Sequence, residues 1–402
     1  MKMQPKIVEN EDMERAATIP IDFLRISVED AENGGRDSAL IVTREDVLIL
    51  KRYESYGLNL PRTLKAVELQ LGIVSSGLPG LEPSDILKTH SAVNLHALSW
   101  APIEAKIKEI GYGLDLFAAT FYAEGQAILN AIEKMDAAAW IRTRIDQLTW
   151  KMIDEVLPAP LNDTDRATTA VLSTYLTSMA ERIEHHKREA TSLKDQLTVF
   201  VTTIQTQLIP DVHQKLALAK KNDLEQQLKD LATEIDSLSK EIGQKNNEYT
   251  QAMNSIAWGL VGGLVGVAIT GSIFGSKAEQ IRKEKNQLID LKRHKVEELN
   301  TKQPISAAIR RLEVQFEDMH MRLTDALQSA SNMETLWSML GHYVKVSAEN
   351  LEQITDNQGL LAFKLRFGPV IIPWELIGGY TKQLVEVFDS AMEQYKLEQR
   401  KS

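Results

Sequence analysis

From Tyr249 to Ser276 the chain carries no charged residue for 28 positions, and its centre reads IAWGLVGGLVGVAITGSIF. A block this apolar leaves three choices: a buried core helix, a membrane span, or a hairpin tip whose two halves cover each other. As one straight helix it measures about 42 Å, enough for a hydrocarbon core of about 30 Å; folded in two it reaches about 21 Å.

The flanks bear on the choice. Leu224, Leu228, Leu231, Ile235, Leu238 and Ile242 recur in alternating steps of four and three, an a/d heptad seam. Beyond the block, Ile281, Leu288, Leu291, Val296 and Leu299 form a second, weaker stripe. If the chain doubles back near Val265, Ile242 meets Leu288, Leu238 meets Leu291 and Leu231 meets Leu299, pairs whose numbers add to about 530. A single bilayer crossing would put these arms on opposite sides of the membrane, so the matched arms favour a folded-back tip.

Within the tip, Gly259 and Gly263, Gly262 and Gly266, and Gly271 and Gly275 each keep a GxxxG spacing. Glycine weakens helices in water but lets backbones approach closely in lipid. Trp258 near one end and Lys277, Arg282, Lys283 and Lys285 after the other are residue types that settle at a membrane interface and on anionic head groups.

Elsewhere the sequence predicts helices. Thr43 is a candidate N-cap with Glu45 in the first turn, and further helices start after Pro61, at Ser84 and at Pro102. Asn162 to Asp165 caps a long helix expected to end at Pro210, and another runs from Pro304 to about Ile354. Pro369 and Pro373 predict an extended or irregular link before a last helix. Strand content should be low.

The chain's chemistry is mainly exclusion. A net charge of −10 argues against nucleic acid, and the absence of cysteine removes thiolate metal sites, disulfides and cysteine nucleophiles. GSIFGSK fails the phosphate-loop spacing because Ser276 separates the second glycine from Lys277. His185 and His186 point about 100° apart on a helix and cannot share one metal, the nearby Glu181, Glu184, Lys187 and Arg188 read as a solvated face, and no HExxH is present. No enzyme, metal site or cofactor is expected.

A long helix ending at Pro210, a heptad arm, the charge-free tip 249–276, a basic return arm and no cysteine together resemble the α-helical pore-forming toxins of the cytolysin A type. The resemblance is closer to the A component of the binary xenorhabdolysin-like toxins. It implies an all-α fold: an elongated antiparallel tail bundle, a long coiled-coil neck and a hydrophobic foot. Residues 1–40 would then be a lead-in, 41–212 tail and neck helices, 213–302 the coiled-coil hairpin, and 303–402 the return helix and last tail helix. The foot implied is Ile256, Trp258, Leu260, Val261, Leu264, Val265, Val267, Ile269, Ile273 and Phe274. The implied partners are the target bilayer and a second, B component, joined in a hetero-oligomeric ring. The N-terminus lacks an uninterrupted apolar core for Sec export, so release by another route or on lysis is expected. The competing expectation is a resident membrane-anchored coiled-coil tether with 249–276 as a permanent span.

Overall fold

The computed structural model describes the backbone of residues 42–139, 148–222, 229–261, 276–300 and 302–399, with side chains over these spans except 254–261, 276, 378–385, 388 and 399. The lead-in 1–40 lies outside the described residues.

Twelve α-helices are described: α1 Arg44–Asn59, α2 Leu64–Leu71, α3 Pro83–Leu98, α4 Trp100–Lys134, α5 Trp150–Asp154, α6 Asp163–Thr203, α7 Ile209–Lys221, α8 Lys229–Val261, α9 Ser276–Asn300, α10 Pro304–Glu352, α11 Asn357–Ile371 and α12 Trp374–Gln399. Among the described residues the sole β pairing is an isolated bridge between Pro160 and Asp356.

Local chemistry sets the helix ends. Thr43 accepts from Asp46 N at 3.1 Å while Asp46 Oδ2 accepts from Thr43 N at 2.9 Å, a reciprocal capping box that opens α1. Thr63 caps α2, which stops at Gly72, where φ of +69° is costly for other residues. Asn162 Oδ1 accepts from Asp165 N at 2.7 Å ahead of α6.

Two prolines act differently from the sequence expectation. Pro210 does not stop the helix: a π-turn over Ile204–Leu208 leads into α7, and Pro210 sits in the first turn of the new helix, where its missing N–H costs little. Likewise the stretch around Pro369 is helical, not an irregular link. Pro369 lies in the last turn of α11, where its missing N–H forgoes one intrahelical hydrogen bond without ending the helix, and α12 starts directly after Pro373.

The described residues divide into two compact units, one drawing on 109–192 and 331–385, the other on 42–108, 193–330 and 386–399. In the first, Phe117 meets Trp337 edge-on at 4.8 Å and Trp374 at 5.2 Å, and Phe121 packs on Trp374 at 5.0 Å. His186 belongs here, stacked on Trp337 at 4.9 Å, and burial lowers its pKa. Gly125 of α4 is where α11 comes closest: a Cβ there would stand 2.4 Å from Ile371 Cγ2, with Ile371 fully buried. We expect Gly125→Val to cost about 2–3 kcal/mol by overpacking, more than the few tenths it gains in helix propensity. A urea midpoint unchanged from the parent would disprove this.

The second unit is centred on Tyr53, His96, Trp100, Phe200 and Phe316. His96 is buried with Nε2 3.0 Å from the Phe200 carbonyl, which only accepts, so Nε2 carries the proton and Nδ1 accepts from the Tyr53 hydroxyl at 2.6 Å. Burial lowers the His96 pKa and so favours this neutral form.

Candidate functional site

The arms flanking the uncharged run, α8 and α9, pack against each other in the second unit. Lys245 pairs with Glu284 and Lys295 with Glu234, each at 2.7 Å, and both pairs of numbers add to 529, which fixes an antiparallel register. Between them Leu231, Ile235, Ile242, Ile289, Val296 and Leu299 form one cluster with Ala307 and Val314 of α10; Leu288 packs partly against it. Leu238 is also buried. Leu224 and Leu228 lie outside the described residues.

Leu291 is a correction, for it is 48% exposed and takes no part in the seam. The buried face of α9 instead runs through Ala278, Ile281, Arg282, Lys285, Ile289, Lys292, Val296 and Leu299. Ala278, Lys285, Lys292 and Leu299 are seven apart, so two heptad positions are lysines. An apolar-only reading skips them and settles on Leu291.

Helix α10 supplies the matching anions. Lys292 Nζ donates to Glu313 at 2.8 Å and to Glu317 at 2.7 Å. Burial opposes ionisation of Glu313, but the Lys292 ammonium and the Arg310 guanidinium outweigh it and hold its pKa low. Burial instead pushes Glu317 up to about 7, above its ordinary 4.5. The folded state therefore holds that proton more tightly than the unfolded chain. The resulting stabilisation is full below about pH 4.5 and is lost as pH rises through about 7. Glu317→Gln removes it, so the variant's stability relative to the parent should rise between about pH 5 and pH 8 in urea melts; a constant difference would exclude this titration.

Closer to the tip the polar contacts multiply. Lys285, 1% exposed at its side chain, donates to the Asp318 carbonyl at 2.7 Å, and burial pushes its ammonium down to about 7. Arg282 donates to Asp46 at 2.9 Å and Glu45 at 2.8 Å; Arg322 reaches the same carboxylates at 3.1 and 3.2 Å. Asn286 bridges Glu45 at 2.9 Å and Arg322 at 3.2 Å. On the other arm the Tyr249 hydroxyl donates to Asp325 at 2.5 Å, and Tyr249 and Met253 are buried. The uncharged run thus begins inside the packed unit.

Of the four cations read as head-group contacts, Lys277 and Lys283 are exposed, whereas Arg282 and Lys285 are internal in this conformation. Helix α8 carries the backbone of Ile256, Trp258, Leu260 and Val261; the side chains of these four lie outside the described residues, as do Leu264, Val265, Val267, Ile269, Ile273 and Phe274 altogether. Among the described residues no helix is long and apolar enough to cross a membrane, and no cluster of three or more histidines and carboxylates is placed to hold a metal.

No protein-family model and no curated protein matches the sequence. Solved structures do. YaxA from Yersinia enterocolitica is 28% identical, with 89% of this chain and 99% of YaxA covered at a TM-score of 0.50. Soluble SmhA of the tripartite alpha-pore forming toxin Smh from Serratia marcescens is 12% identical, with 93% of this chain and 96% of SmhA covered at a TM-score of 0.51, a likeness of fold alone. The chain is therefore similar to YaxA over nearly the whole length of both proteins, and its all-helical fold is that of the α-pore-forming toxin components.

Proposed function

We propose that this chain is the A-type component of a binary α-pore-forming toxin. It attaches to a target bilayer through 249–276 and co-assembles with a second component into a lytic oligomeric pore. It acts outside its producing cell. The observation that supports this reading most is the antiparallel register of α8 and α9, which brings the two ends of a 28-residue uncharged run out on one side of the hairpin. A permanent span would separate those ends.

The driving force is physical. Apolar surface in water costs about 25 cal/mol per Å², and a bilayer offers the uncharged run an apolar medium in which that cost is avoided. A two-state switch requires such a difference in affinity between its states. Detergent-free protein should sediment with vesicles without releasing an entrapped dye, and release should follow once a B-type partner is added. Failure to sediment would end the toxin reading, and a need for detergent throughout would favour the resident tether.

A further inference from the structure

The two inward-facing arginines converge on a single anion from two helices. Asp46 Oδ1 accepts from both Arg282 and Arg322, at 2.9 and 3.1 Å, and Glu45 accepts from both at 2.8 and 3.2 Å. Paired guanidiniums around one oxyanion form the arrangement that also recognises phosphate. The side chains of Arg282 and Arg322 are 3% and 2% exposed, and the buried Nε of each lacks an acceptor among the described residues. Arg282 also donates to Thr43 Oγ1 at 3.3 Å and Arg322 to Asn286 and Asp318 at 3.2 and 3.3 Å, which leaves the two Nε–H groups as the spare donors.

The acidic turn is placed to leave. Glu45 has 42% of its side chain exposed and α1 begins only at Arg44, so Glu45 sits at the outer edge of the arginine pair, with Asp46 fully buried behind it. All of these residues belong to one unit, beside the end of α9 that follows the uncharged run. We propose that Arg282 and Arg322 form an anion site held closed by the first turn of α1, and that a lipid head-group phosphate replaces Glu45 and Asp46 there when the tip meets a bilayer. The proposal rests on the membrane reading above and adds its regulation.

Exchange of one oxyanion for another keeps both arginines paired throughout, so no buried charge is left uncompensated. An apolar lock offers no such exchange. Withdrawal of two carboxylates also raises the net positive charge at this end of α9, which carries the exposed Lys277 and Lys283 and so favours an anionic leaflet.

The chain has no cysteine, so Glu45→Cys with Asn286→Cys introduces a unique thiol pair where two side chains now bond at 2.9 Å, leaving Asp46 and both arginines in place. A short bis-maleimide bridge should reduce sedimentation with phosphatidylglycerol-containing vesicles at least tenfold relative to the unbridged double variant. Equal binding before and after bridging overturns the proposal. An unbridged protein that ignores vesicles overturns the membrane reading and the proposal with it. In the unsubstituted protein, amide hydrogen exchange over 44–47 should accelerate with phosphatidylglycerol vesicles but not with phosphatidylcholine vesicles or inorganic phosphate. Acceleration by inorganic phosphate would make the free anion, not the lipid, the ligand, and no acceleration with any of them would overturn the site.

Discussion

Val265→Glu combined with Ile269→Glu lowers vesicle sedimentation to the background of protein without lipid, while helix content and elution volume stay those of the parent. A carboxylate at the bilayer centre costs roughly 2.5–3.5 kcal/mol on insertion scales, so the pair removes about 5–7 kcal/mol, some three to five orders of magnitude in partitioning. The fold is spared because the packed arms depend on other residues, Leu231, Ile235, Ile242, Ile289, Val296 and Leu299. Leu291→Glu is the matched control. It adds a carboxylate to the same hairpin at a side chain 48% exposed, where a substitution changes stability by at most about 0.5 kcal/mol and touches no apolar tip. Retained binding by the double variant would show that 249–276 does not meet lipid, and lost binding by Leu291→Glu would show that added charge alone suffices.

The parts of this fold legible in the sequence are those written in one residue class. Leu231, Ile235, Leu238 and Ile242 announce their seam because every a/d position from 231 to 242 is aliphatic. The return arm keeps the same spacing but fills it with Lys285 and Lys292, whose burial depends on Asp318, Glu313 and Glu317. Periodicity of apolar residues cannot register such positions. Proline misled for a related reason: Pro210 falls in the first turn of α7, where its N–H would go unused, and Pro369 forgoes one intrahelical hydrogen bond in the last turn of α11 without ending the helix there.

The candidate site divides along the same line. The tip is legible as composition, since 28 residues without charge stand out in any reading. The clamp beside it is not. Thr43 and Glu45 are recognisable as the start of a helix, yet nothing in their spacing links Asp46 to Arg282, 236 positions away, or to Arg322, 276 away. Only the return of α9 and α10 past the first turn of α1 brings them together.

Asp46→Asn should be among the most damaging single substitutions in the second unit. Asp46 is fully buried and holds Arg282 and Arg322 together, so the amide keeps the shape but leaves the two guanidiniums to share Glu45, with Asp318 on Arg322 at 3.3 Å and Glu279 on Arg282 only at 3.8 Å. Breaking a buried ion pair from one side costs about 3–5 kcal/mol, a large share of the roughly 5–15 kcal/mol that holds a domain folded. Arginine cannot shed its proton to escape, so this deficit should stay constant from about pH 5 to pH 8. Lys292→Met makes the contrasting case. It strands Glu313 and Glu317, which can take up protons and become neutral; their folded-state pKa values rise, and the deficit shrinks as pH falls. Replacing Arg282 by methionine in the Asp46→Asn background should restore part of the loss, because one stranded charge is removed with its partner. Urea midpoints for the three variants at two pH values decide the matter: an Asp46→Asn deficit below about 1 kcal/mol would mean that the arginines are paired or hydrated without it, and that the first turn of α1 closes nothing.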